Sequence, residues 1–353
     1  MRRVCLLMVG GILMVAIGLW SQESPTSGPY KVLKTAKVGG DGGFDYVWAD
    51  SAARKLYVSR SGPNARITVW DLDTLEPAGV IPNSGGHGAV VSAKTGHGFA
   101  TTKPVLMFDA KTLAPIKNID TGSNPDGFYY DSFNDRVYIL SHASPNLTAL
   151  NASDGSIAGT VDIDGATEQT VGDGKGHIYA DVEDKGNIAV IDAKTMKVTA
   201  HYDLQGKGGG CAGLAIDAKN RILFASCRDP QNMVILSADD GKILATFPIG
   251  AGTDGAVFNP RTMEAFSSQR DGTLTVVKEN SSTSFTVEQT VNTMTTAKTL
   301  TLDSKTGHIL LIAAQYGPPP AQPATSPAGG RGGRGPQAPM IPDSFTILVV
   351  GKS

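Results

Sequence analysis

Asp45, His87, Asp126, Glu168, Ala212, Asp254 and Lys298 each stand five residues before one of seven similar turn residues. Four carboxylates, an imidazole and an ammonium at one register could perform acid–base work, hold a cation or grip a polar ligand. Asp45, Asp126, Glu168 and Asp254 supply the oxygen donors that calcium or another divalent cation would take. A second set falls at the ends of the strands that follow each turn: Arg60, Lys103, His142, Glu183, Arg228, Arg270 and Tyr316. Arg60, Arg228 and Arg270 could bind a carboxylate or phosphate bidentately. The plainer reading of both sets is wet channel residues, turn caps and solvated ion pairs, because Asp and Gly also favour turns for local reasons.

Repetition is what would bring these residues together. DSAARKLYVSR from Asp50, SAKTGHGFATT from Ser92 and DSFNDRVYILS from Asp131 open a series that continues from Asp173, Asp217, Asn259 and Asp303. The period is about forty residues, the length of one propeller blade. A third strand and a turn follow, as in ITVWDLDTLEPAGVI and IAVIDAKTMKVTAHY, so each unit carries four short strands. The seventh unit lacks its outermost strand, and YKVLKTAKV, Tyr30 to Val38, has the character to supply it. The expected fold is therefore all-β. It is a single seven-bladed β-propeller of four-stranded antiparallel blades over residues 30–353, with the last blade closed by the N-terminal strand. A length of 353 residues alone suggests two domains, but two stacked β domains leave the register of the units unexplained. In the ring both residue sets open on one face, around the mouth of the central channel.

Composition narrows the partners. The 31 basic and 33 acidic residues balance, so a nucleic-acid backbone is not an expected partner, and GGRGGRG is too short to change that. Residues 1–22 read as a signal peptide or leader, with an apolar run from Val4 to Trp20 that could instead remain as an uncleaved anchor. No second spanning segment follows, and Cys5 has no lipobox before it. The expected location is periplasmic or secreted, and the expected state a monomer. Cys211 and Cys227 are equidistant from residue 219, the centre of a hairpin turn, which predicts a disulfide in an exported chain. Residues 317–342, rich in Pro and Gly, interrupt the last unit between its second and third strands. They read as a tolerated loop or, with Arg331 and Arg334, as a flap over the channel mouth.

The LYVSR, VYILS, IYADV and LFASC strands, each followed by a VWDLDT or VIDAKT type of turn, resemble the YVTN family of bacterial β-propellers across Tyr30 to Ser353. The family tetrapeptide is carried only approximately, as Tyr57-Val58-Ser59-Arg60, while the Asp73-Thr74 turn is intact. The resemblance implies an exported scaffold and transfers no catalytic residue, since its motifs mark strands. The function read here is a non-catalytic scaffold that binds a small ligand, glycan or protein at the channel-mouth face. Related propellers include lactonases, which makes a metal-dependent hydrolase the alternative. His87 or Glu168 would be its base, Asp126 and Asp254 its cation ligands, and Arg228 or Arg270 would face the developing oxyanion. No cofactor motif is present: there is no CxxCH, no recurrent Trp pattern and no GxSxG elbow. His87, His97, His142, His177, His201 and His308 lack the compact spacing of a zinc motif.

Overall fold

Local turn chemistry sets the strand boundaries in each unit. The first turn residue folds its carboxylate onto the backbone that follows: Asp50 Oδ1 accepts from Ala52 N at 3.1 Å and Ala53 N at 2.9 Å. The turn after the third strand obeys a second rule. The N–H of Leu75, Leu113, Gly155, Met196 or Gly241 donates to the carbonyl four residues earlier, and each of these residues has positive φ. The left-handed residue is followed by a register shift in the strand pair, a bulge that increases twist. Asp71, Asp109 and Asp192 cap that turn by accepting from a threonine N–H at 2.8, 2.7 and 2.7 Å. The D-x-x-T sequence is therefore a turn code.

A computed structural model describes residues 26–62, 64–318 and 338–353. The expected leader and the middle of the expected insertion, including Arg331 and Arg334, lie outside the described residues. The 28 described strands, β1–β28 in chain order, form seven four-stranded antiparallel sheets. The seventh sheet runs β1 (Tyr30–Lys37), β28 (Thr346–Lys352), β27 (His308–Ala313), β26 (Thr299–Asp303), so the N-terminal strand closes it as expected. The innermost strands of the other six are β2 (Val47–Asp50), β6 (Ala89–Val91), β10 (Phe128–Asp131), β14 (Thr167–Gly172), β18 (Cys211–Asp217) and β22 (Thr253–Asn259). Each touches the next around a circle that β26 completes against β2. No helix among the described residues is long and apolar enough to cross a membrane.

Seven apolar clusters hold the ring, each lying between two neighbouring blades. Alternation distributes the residues: Leu56 and Val58 face the seventh blade with Phe345 and Ile347, while Tyr57 between them packs on Phe108 of the second. Both faces of each sheet are thus buried. This is why the middle strands read as continuous apolar runs and the outer ones, such as Pro77–Ile81, do not.

Cys211 and Cys227 are register partners on the inner pair of the fifth blade, bonded and buried. Replacing both by alanine is expected to cost about 2–3 kcal/mol, since the bond closes a loop of 16 residues in the unfolded chain. The urea midpoint measures it. A loss below about 1 kcal/mol would show that strand pairing alone holds those ends together.

Candidate functional site

Because Asp45, His87, Asp126, Glu168, Asp254 and Lys298 all occupy the entry to an innermost strand, closure of the ring brings them to one rim. Ala212 shares the register but presents only a buried methyl group. Arg228, from the end of the second strand of the fifth blade, reaches the rim in its stead, and His142 and Glu183 join from the corresponding positions of the third and fourth blades.

The polar atoms form a continuous circuit. His87 Nδ1 lies 2.7 Å from Asp45 Oδ2 and 3.1 Å from Asp126 Oδ1. His142 Nε2 lies 2.9 Å from Asp126 Oδ2 and 3.4 Å from Glu168 Oε1. Glu168 contacts Glu183, and Arg228 pairs with Glu183 through Nη1 and with Asp254 through Nη2. Lys298 Nζ then pairs with Asp254 and stands 3.6 Å from Asp45 Oδ1, which closes the circle.

Charge alternates around most of this circuit, and the proton affinities follow. Hydrogen bonds to Asp126 and Glu168 push His142 up to about 10. The bond to Asp45 likewise raises His87. Burial works to raise Asp45 and Glu168, but the facing imidazoles outweigh it and both carboxyls are held below their ordinary range. Glu183 is pushed up by burial and by the Glu168 charge beside it. Each imidazole stands between two carboxylates, which is why both are raised.

Beneath the rim, side chains cross from blade to blade. Tyr46 of the first blade reaches across to the fourth, donating to Glu168 O at 3.0 Å and lying 3.1 Å from Oε2. Gln169 ties three blades together: Oε1 accepts from Leu214 N and Ala256 N at 2.9 and 3.0 Å, and Nε2 donates to Ala256 O at 3.0 Å. Asp181, fully buried and pushed well up by that burial, accepts from Glu168 N and Gln169 N and so fixes the backbone under Glu168. These hydrogen bonds, which cross between blades, floor the mouth.

Sequence reasoning did not single out Tyr46 or Gln169. The signal lay one residue past each rim position, where the chain reads Tyr46, Gly88, Gly127, Gln169, Gly213, Gly255 and Thr299. A Cβ at Gly88 would stand 2.8 Å from Tyr46 Cβ, and one at Gly127 2.5 Å from Glu168 O, so glycine there makes room for the floor.

Other expected site residues are placed elsewhere. Arg60 is 1% exposed, with its guanidinium 3.6 Å above the Phe345 ring, and donates to Gly39 O and Asp41 O at 3.2 and 2.7 Å. Burial pushes it down to about 10. It clamps the loop between β1 and β2 and does not reach the ring. Arg270 is exposed and belongs to none of the ring's ion pairs, and Lys103 bonds Asn124. Tyr316 pairs with Met340 at the base of the insertion, where Gly317 N donates to Pro339 O and Ile341 N to Gln315 O, both at 2.8 Å.

Among the described residues, two groups could hold a metal ion: Asp45, His87 and Asp126, and Asp126, His142 and Glu168, the ligand atoms of each lying within 4.8 Å of one another. Asp254, placed by sequence among the oxygen donors, is instead taken up by Arg228 and Lys298.

No protein-family model matches the chain, and no curated protein does. Among solved structures, a chain of the mitotic checkpoint complex crystal structure superposes with a TM-score of 0.67 at 10% identity, covering 88% of this chain and 95% of that one. The structure of U3-55K gives 0.66 at 11% identity, covering 92% and 99%. The RRP9 WD40 repeats give 0.65 at 11%, covering 93% and 99%. Likeness at these identities establishes the WD40-like propeller fold and nothing of the site.

Proposed function

We propose that this chain is an exported, monomeric propeller scaffold that binds a small hydroxyl-rich ligand, a sugar or sugar acid, at the channel mouth. The observation that carries the reading is the closed rim circuit, drawn from all seven blades, in which both imidazoles stay half exposed. The other members of the circuit are 13–33% exposed, and charges drawn this far out of water cost desolvation that their pairing only partly repays, so folding stability does not account for assembling so many at one rim. Carboxylates and imidazoles at the rim are acceptors and donors for hydroxyl groups, and the hydrogen bonds of Tyr46, Gln169 and Asp181 beneath them keep them in place. The disulfide and the leader-like N-terminus support export, and the repeated strands support a YVTN-like scaffold. Docking of a protein on this face has only the fold shared with a chain of the mitotic checkpoint complex behind it.

A second reading, metal-dependent lactone hydrolysis, is favoured by the two histidine–carboxylate groups. Asp254 and Arg228 are occupied by each other, so His87, Asp126, His142 and Glu168 would carry it.

Saturation-transfer NMR with a panel of mono- and disaccharides and sugar acids tests the binding reading, comparing the native chain with Asp126→Asn/Glu168→Gln. At least one saturable binder is expected, weakened about tenfold or more in the variant. A panel without a binder, or affinity unchanged in the variant, would overturn it. Lactone turnover in the same samples would transfer the site to the second reading.

A further inference from the structure

Resting on the reading of the channel mouth as the binding site, we propose that it holds two divalent transition-metal ions bridged by the Asp126 carboxylate. The two candidate groups share only Asp126, and they divide its oxygens: Oδ1 faces His87 Nδ1 at 3.1 Å and Oδ2 faces His142 Nε2 at 2.9 Å. Asp45 Oδ2 completes the first group and Glu168 Oε1 the second. Ligand atoms about 2.0–2.2 Å from one ion stand about 2.8–3.6 Å apart at octahedral or tetrahedral angles. The contacts here run from 2.7 to 3.4 Å, so adjustments of a few tenths of an ångström open each group around an ion. One bridging carboxylate sets two ions about 3.5–4 Å apart, the separation of two-metal sites.

The donors select the metal. Each ion would have one imidazole nitrogen and two carboxylate oxygens, a set suited to zinc, manganese, iron, cobalt or nickel, whereas calcium takes oxygen ligands. Supports behind the ligands are in place: Lys298 lies beside the second oxygen of Asp45, and Asp181 holds the Glu168 backbone. Three protein ligands per ion leave positions open toward solvent, on the side where the imidazoles are half exposed. Three carboxylates against two dipositive ions leave a net positive charge, which favours an anionic oxygen ligand such as a sugar acid over a neutral sugar.

The test is titration of chelator-treated, untagged full-length protein with Mn²⁺ alone, read by calorimetry and by electron paramagnetic resonance. Two ions per chain with an exchange-coupled spectrum are expected. Asp126→Asn is expected to lose the coupling and weaken uptake about 100-fold. His142→Ala should retain a single, uncoupled ion and would serve if Asp126→Asn failed to fold by circular dichroism. Uptake of fewer than two ions by the native chain, two uncoupled ions, or unchanged uptake by folded Asp126→Asn would overturn the proposal. Saccharide binding that persists in chelator beside absent Mn²⁺ uptake would remove the metal site and leave the binding reading standing. Two coupled ions with no saccharide bound would do the reverse.

Discussion

Replacing Glu264 by alanine is expected to lower the stability of the propeller by about 3 kcal/mol and to loosen the closure of the ring in particular. Glu264, fully buried in the sixth blade, accepts from the Tyr30 hydroxyl of β1 and from Lys352 Nζ of β28 at 2.7 Å, so one carboxylate holds both chain-terminal strands. Burial works to raise it, but hydrogen bonds with Glu288, Lys352 and Tyr30 hold it below its ordinary range. Glu288 beside it is raised by burial and by Glu264. Alanine leaves the Tyr30 hydroxyl without its acceptor, at about 1–3 kcal/mol, and releases a half-exposed lysine, at about 0–1. Gln289, which donates to Tyr30 O at 2.8 Å and accepts from Tyr30 N at 2.9 Å, remains as the second tether. Urea unfolding measures the total, and amide exchange along β1 locates it, with an acceleration of about a hundredfold expected there. A loss below about 1 kcal/mol would mean that pairing of β1 along β28 closes the ring unaided.

That closure was legible in the sequence because it is a matter of counting: a unit short of one strand at its end and a spare strand at the start. The rim was legible for a similar reason. Turn residues such as Asp50 and Asp303 fix strand register locally, and counting back from them preserves the direction in which each side chain points. What the rim residues do was not legible, because it depends on neighbours from other blades. Arg60 and Arg228 end the same strand of their blades one residue apart in register, Arg60 aligning with the buried Cys227, and they have opposite roles. Arg60 finds the Phe345 ring and two backbone carbonyls and is sealed, while Arg228 finds Glu183 and Asp254 and stays at the mouth. The histidines show the same limit. His87 and His142 lack motif spacing because they stand on different strands of different blades, and only ring closure sets both against Asp126.

Replacing Glu279 by glutamine is expected to stabilise the protein, and only above acidic pH. Glu279 sits 2% exposed on the strand Thr273–Ser281, where Oε1 accepts from Asn220 Nδ2 at 2.7 Å while Oε2 has no partner. Burial, reinforced by the nearby charge of Asp217, pushes it up to about 7 from an ordinary value of 4.5. Between those two values the folded state holds a proton that the unfolded chain has released. Stability therefore falls as pH rises through this window and levels off, for this group, above about pH 7. The full difference is worth about 3 kcal/mol. Glutamine keeps the acceptor for Asn220, carries no charge, and brings an N–H donor next to Asp217 in place of a second carboxylate. The variant should match the native chain near pH 4.5 and exceed it by about 2–3 kcal/mol at pH 8, measured as urea midpoints at unchanged slope. Equal midpoints at both pH values would show that Glu279 ionises in the folded protein as freely as in the unfolded chain. A gain of similar size at both would trace the effect to packing and not to charge. The rim stands apart from this test: Glu279 lies at the far end of its blade, bonded to the turn that begins at Asp217, so ligand or metal uptake at the mouth should be the same in both proteins.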